Sequence, residues 1–283
     1  MKPANHLRIA FLGASTTYCA EASSNEATWP HLVTEVLRNS YPNIDYVNAA
    51  VPGYGLDSMH GALERRVAPL QPDVIVIYEA TNELSSETRE LATRQGIYRR
   101  YDQTGWLGEH SLLWFLLEKN LKIVQSRREA AENIARLNFE PGELGKSFRE
   151  GLAALIGDAK RIALVVAVPT FSHQVRAGQT PERKLEAAES ALYYMPYMTP
   201  ELLLAGYARY NEIIREVVRN TGAVSIEGEM EIPGDSVHFN DTVHFKDAGS
   251  RAMAARVAKG LLGSPEFQSL LQTKPPAVAH RAG

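Results

Sequence analysis

Leu7-Arg8-Ile9-Ala10-Phe11-Leu12-Gly13-Ala14-Ser15-Thr16-Thr17 is the stretch on which the fold turns. A short, nearly unbroken apolar run stops at a glycine and gives way to small hydroxyl residues. That length and that continuity belong to a strand covered on both faces, and the glycine and hydroxyls belong to the loop at its carboxyl end. Similar runs recur at residues 44–47, 73–78, 161–168 and 223–226. Helix-period segments separate them: residues 29–39, with Leu32, Val33, Val36 and Leu37 on one face, then 58–67, 200–219 and 247–262. Strands alternating with helices imply right-handed crossovers. The expected fold is therefore α/β: a three-layer α/β/α sandwich around a central, mostly parallel five-stranded sheet.

The alternation lapses between Leu84 and Arg161, where residues 111–124 and 125–137 have helical patterns but no strand is evident. The reading is a single domain over residues 1–270 with a helical insertion at about 85–160, followed by a disordered tail at 271–283. Within the insertion, Leu112-Leu113-Trp114-Phe115-Leu116-Leu117 is interrupted by Glu118 and Lys119, well before the ~20 residues a membrane span requires. It is expected to pack on the body of the protein, with a lid or a dimer surface as the alternatives.

The 283 residues, 45% hydrophobic and 22% charged, are enough for a sizeable core. Lys and Arg number 30 against 33 Asp and Glu, so no basic excess recommends nucleic acid or an anionic membrane as partner. Cys19 is the single cysteine, which excludes an internal disulfide and a cysteine metal cluster; it reads as a small buried residue. Residues 1–8 lack the apolar core of a signal peptide, so a cytoplasmic location is the default, although a chain trimmed of its leader would read the same.

Ser15 stands just past the first strand, where open α/β sheets keep their ligand crevice. One glycine and no lysine make a poor phosphate loop, so the hydroxyl is the chemical asset. A serine needs a base, and the base needs a group to hold its tautomer. Asp241-Thr242-Val243-His244-Phe245, leading through Gly249 into the last helix-period segment, supplies both with a spacing that folds a carboxylate onto an imidazole. Asp235 and His238 share that spacing, but Asp235 follows the turn signal Pro233-Gly234, so context favours Asp241 and His244. Donors for a developing oxyanion are available in Asn48-Ala49-Ala50-Val51-Pro52-Gly53-Tyr54-Gly55 and Glu79-Ala80-Thr81-Asn82-Glu83, as the Gly53 N–H and the Asn82 amide.

In that order these segments resemble the four blocks of the SGNH, or GDSL-like, lipase/acylhydrolase family, which contribute serine, glycine, asparagine and histidine. The blocks fall at Ser15, Gly53, Asn82 and His244, with support from Thr28-Trp29-Pro30 and from the His-Phe-x-x-x-Gly ending. Two blocks depart from the family pattern: Gly-Ala-Ser-Thr stands for Gly-Asp-Ser, and Ala80-Thr81-Asn82-Glu83 for Gly-x-Asn-Asp.

The resemblance implies a flavodoxin-like SGNH hydrolase fold. It implies Ser15 as nucleophile, His244 and Asp241 as the other triad members, and an oxyanion hole from Ser15, Gly53 and Asn82. The activity it implies is a serine esterase that needs no metal or organic cofactor, acting on short acyl or O-acetyl esters of a small molecule or carbohydrate. An O-acyltransferase with the same triad and a non-catalytic binding module on the same fold are the alternatives. His173 and Arg176 face the crevice edge if the strand order holds, and Tyr194 belongs to an aromatic and methionine segment suited to a substrate wall; a solvated loop for the first two and ordinary packing for the third are the alternatives.

Overall fold

The structure, a computed structural model, describes Lys2, residues 6–97 and residues 136–273. Strands β1 (Leu7–Gly13), β2 (Ile44–Asn48), β3 (Val74–Tyr78), β4 (Val165–Pro169) and β5 (Val224–Ile226) form one five-stranded sheet in the order β2-β1-β3-β4-β5. Every pairing is parallel. The inner strands β3 and β4 are buried at every position, as their unbroken Val-Ile and Val-Ala runs require. Edge strand β5 alternates instead, with Ser225 exposed between buried Val224 and Ile226.

Helices follow in chain order: α1 (Ser15–Tyr18), α2 (Trp29–Arg38), α3 (Leu56–Ala62), α4 (Thr81–Arg94), α5 (Lys146–Ile162), α6 (Pro181–Tyr194), α7 (Pro200–Thr221), α8 (Asp247–Gly263) and α9 (Pro265–Thr273). α2 packs on α8, while α5 packs on both α3 and α7, and α4 and α6 also lie on α7. Helices flanking a central parallel sheet make the expected three layers. The starts of α6 and α7 are set locally: Thr180 and Thr199 accept the N–H groups of Arg183 and Leu202, and Pro181 and Pro200 occupy the first helical position.

Several boundaries differ from the sequence reading. The strand expected from residue 161 begins at Val165, because Arg161 and Ile162 complete α5, whose buried stripe Phe148, Leu152, Leu155, Ile156 and Ala159 keeps helical period to the end. The helix expected at 58–67 starts earlier, at Leu56, and closes in a π-helical stretch, Leu63–Val67. α6 escaped notice because its buried positions are mostly alanine: Ala187, Ala188, Ala191 and Leu192. α4 and α5 occupy the two ends of the expected 85–160 insertion and pack on α7. Residues 98–135, which include the Leu112 to Leu117 run and nearly all of the two helical patterns at 111–137, lie outside the described residues. At the other end α9 runs to Thr273, so the described chain is helical for the first residues of the expected tail. Among the described residues no helix is long and apolar enough to cross a membrane.

Candidate active site

The carboxyl ends of β1 and β3 and the segment before α8 converge on one place, and each arrives there for a local reason. β1 ends in Gly13, where a side chain would press on the Thr17 hydroxyl and stand 2.6 Å from the Tyr78 carbonyl oxygen. Only glycine lets the chain turn this close to β3. Ser15 opens α1, so its N–H stands ahead of that helix's own hydrogen-bond ladder. The turn is pinned from three sides: the Trp29 indole donates to the Thr16 carbonyl (3.0 Å), the Asn48 amide to the Thr17 carbonyl (3.0 Å) and the Val51 N–H to the Gly13 carbonyl (3.2 Å). Trp29 is wholly buried between Phe11 and Tyr78, edge to face with both.

His244 crosses 229 residues of sequence to meet the serine, its Nε2 lying 2.8 Å from Ser15 Oγ. Its Nδ1 lies 2.8 Å from Asp241 Oδ2. The other Asp241 oxygen accepts the Val243 and His244 N–H groups, both at 2.9 Å, so one carboxylate closes the turn and orients the ring. Burial pushes the Asp241 carboxyl upward, but the hydrogen bond and charge of His244 and these two N–H groups outweigh it, and Asp241 sits below its ordinary value. For His244, burial favours the neutral ring. The hydrogen bond and charge of Asp241, with smaller help from Glu21, outweigh it and raise the imidazole above 6.5. The turn itself is held by neighbours, since Gln174 N–H donates to the Thr242 carbonyl (2.7 Å) and Thr242 Oγ1 meets Ser190 Oγ at 2.9 Å.

Gly53 has φ +82°, which explains glycine there without any steric crowding, and its N–H has no acceptor among the described residues. Asn82 donates its amide to the Tyr54 carbonyl at 2.9 Å, tying the loop after β3 to the Gly53 loop. Glu83, where the family pattern has Asp, accepts the Leu56 N–H at 2.7 Å and so anchors α3 behind the same loop. The structure thus brings Ser15, Asp241 and His244 into one hydrogen-bonded line, and joins the Gly53 and Asn82 loops directly.

For His173 and Arg176 the substrate-wall expectation needs correction. His173 is 4% exposed, stacked on Tyr207 at 4.5 Å, and held neutral, its pKa pushed down to about 3 by burial and by Arg176. It is a packing residue, not part of an open loop. Arg176 spends its guanidinium on the carbonyls of His173, Val175 and Ile232, knitting two loops together. Tyr194 is 54% exposed at the end of α6, while its neighbours Met195, Tyr197 and Met198 are core. Cys19 is buried as expected, and burial pushes its thiol up to about 12.

Glu79 was passed over by the sequence reading. It is 4% exposed just beyond β3, and its Oε1 accepts the Asn82 N–H at 2.7 Å. The signal available was a glutamate three residues ahead of the asparagine. Among the described residues no group of three His, Cys, Asp or Glu side chains is gathered to hold a metal ion.

Comparison with known proteins bears on family and fold. The family profile of the GDSL-like lipase/acylhydrolase family matches residues 11–252. No curated protein matches the chain. Among solved structures, the lipase/acylhydrolase from Enterococcus faecalis is similar at 15% identity and TM-score 0.55, over 91% of this chain and 96% of that one. An acetyl xylan esterase, AlAXEase, is similar at 14% identity and TM-score 0.53, over 89% of this chain and 98% of that one. A catalytic mutant of the acetylxylan esterase of Geobacillus stearothermophilus is similar at 14% identity and TM-score 0.53, over 94% and 98%. At these identities the likeness is one of fold, and it is the match across residues 11–252 that decides membership. The chain belongs to the GDSL-like lipase/acylhydrolase family and is an ester hydrolase.

Proposed function

We propose that the protein cleaves short-chain carboxylic esters, O-acetyl groups on a small molecule or carbohydrate foremost, through an acyl-Ser15 intermediate. The observation that carries this reading is the continuous line from Ser15 Oγ to His244 Nε2 and from His244 Nδ1 to Asp241, both links at 2.8 Å. In the proposed reaction the neutral form of His244 takes the Ser15 proton as the oxygen attacks the ester carbonyl. Asp241, held ionised, stabilises the imidazolium that results. The N–H groups of Ser15 and Gly53 and the amide of Asn82 are the donors assigned to the oxyanion. As the tetrahedral adduct collapses, His244 returns the proton to the departing alcohol, and water then enters by the same steps to free the acid and regenerate Ser15.

Gly13 and the wholly buried Ala14 precede the nucleophile, and the packed aromatics Trp29, Tyr78 and Phe171 stand behind them. A preference for acetyl over long chains is the part of the proposal that the assay below decides. Two structures sharing the fold act on acetylated xylan by name, so acetylated xylo-oligosaccharides are the first carbohydrate esters to assay. The test is hydrolysis of p-nitrophenyl acetate, p-nitrophenyl butyrate and acetylated xylo-oligosaccharides, with rapid mixing to detect a burst. Turnover with a burst, faster for acetyl than for butyryl, is expected. A folded protein that turns over none of these esters contradicts the reading.

A further inference from the structure

Glu79 holds a carboxyl group where an ionised one is hard to keep. Its Oε1 is committed to the Asn82 N–H, while its Oε2 is buried and meets no partner among the described residues. A buried carboxylate with one oxygen unmatched costs several kcal/mol, whereas the protonated acid leaves only a single O–H unmet. The titratable groups facing it do not relieve that cost. They are Tyr78 at the end of β3, Glu83 on α4, Tyr207 and Tyr210 on α7, and His244 ahead of α8. Of these only His244 takes a positive charge, and His244 is already paired with Asp241.

From this placement we infer that Glu79 is a positioning residue that works as a neutral acid, holding Asn82 in register for the oxyanion; the inference rests on the esterase reading above. Its carbonyl oxygen fixes the Asn82 backbone, and Asn82 in turn fixes the Tyr54 carbonyl and with it the Gly53 loop. Neutrality serves the reaction as well as the fold. A second negative charge beside the place where the oxyanion develops would oppose it in a site with little water to screen it. The carboxyl is pushed up to about 8, first by burial and then by Glu83, against the N–H groups of Asn82 and Ala80. Above that pH the proton leaves, the buried oxygen must find water or a new donor, and a negative charge stands beside the oxyanion that Asn82 is placed to meet.

The experiment is kcat/KM for p-nitrophenyl acetate from pH 6 to 9.5, corrected for spontaneous hydrolysis, in wild type, Glu79→Gln and Glu79→Leu. Glutamine reproduces the neutral acid, with a carbonyl to accept and N–H groups in place of the O–H. Wild type should be about tenfold slower at pH 9 than at pH 7, as one ionisation near 8 requires. Glu79→Gln should stay within about threefold of wild type at pH 7 and lose the alkaline fall. Glu79→Leu should lower kcat about tenfold with KM little changed, since the lost anchor matters when the oxyanion forms. An alkaline fall that survives in Glu79→Gln, a glutamine variant as slow as leucine, or a glutamine variant that does not fold would each overturn the assignment. If wild type hydrolyses no ester at any pH, it is the esterase reading that fails.

Discussion

Two neighbouring turns of this chain are near copies of one another: Asp235-Ser236-Val237-His238-Phe239-Asn240 and Asp241-Thr242-Val243-His244-Phe245-Lys246. Their local geometry is also the same. In each, the aspartate accepts the N–H groups two and three residues on and meets the histidine Nδ1 at 2.8 Å. The copies lie back to back, with Phe239 and Phe245 bridged, Lys246 N–H donating to the His238 carbonyl and Asn240 N–H to the His244 carbonyl. Yet Ser15 meets only one of them. The Asp235 side chain is 49% exposed against 26% for Asp241. Both Asp-x-x-His turns of this chain therefore orient an imidazole, and the long-range fold decides which one meets Ser15. The outer copy still serves the inner one: its His238 carbonyl packs so closely on Gly249, just after α8 begins, that no side chain fits there.

This contrast can be broken most sharply by removing the histidines in turn. His244→Ala or Ser15→Ala should lower kcat/KM for p-nitrophenyl acetate by about 10⁴-fold or more, and His238→Ala should leave it within about threefold. Equal losses from the two histidine variants would erase the distinction. The aspartates come next. Asp241→Asn should cost about 10³–10⁴-fold through the wrong tautomer, while Asp235→Asn should be near neutral; steady-state kinetics of the pair decides. Asn82→Ala removes one of the proposed oxyanion donors and should cost about 10²–10³-fold in kcat, with a smaller change in KM.

A subtler distinction lies in pH. His244 must be neutral to accept the Ser15 proton, and its pKa is raised, so the acidic limb of kcat/KM should have its midpoint above 6.5. In Asp241→Asn the influence that raises it is gone and burial prevails, so the residual activity should show that limb at lower pH; Asp235→Asn should not move it. The same shift bears on stability. Because the folded protein holds the His244 proton more tightly than the unfolded chain, this contribution is complete below about pH 6.5 and fades as pH rises through the raised value. Asp241 works in the opposite direction: its folded value is depressed, so its contribution is present above 3.8 and disappears as pH falls through the folded value. The smallest effect expected is on the outer turn, where Asp235→Asn should change unfolding free energy by about 0.5 kcal/mol or less at neutral pH, read from denaturant midpoints.

The sheet was legible because inner strands carry their burial openly. Val74 to Tyr78 and Val165 to Pro169 have no polar side to hide, so continuity alone marks them. α6 was not legible, because alanines close to a neighbouring helix leave little hydrophobic contrast along the chain. The strand expected from residue 161 was misplaced for a related reason, as the apolar period of α5 runs almost into β4. In the candidate site, the meeting of Ser15, His244 and Asp241 and the nearness of the Gly53 and Asn82 loops were legible through order and spacing. The support beneath them was not. That His173 would be stacked out of reach on Tyr207, that Arg176 would be consumed by backbone carbonyls, and that Glu79 would anchor Asn82 all depend on contacts between distant segments.

The central claim is that Ser15 is a nucleophile activated by His244 alone of the two oriented histidines. It is tested most directly by labelling with a fluorophosphonate probe, followed over time and mapped by peptide mass spectrometry. The account predicts one labelled residue, Ser15, modified at the same rate in wild type and His238→Ala, at least about 10²-fold more slowly in His244→Ala, and not at all in Ser15→Ala. Labelling at another residue, or labelling of Ser15 that slows as much without His238 as without His244, would contradict it.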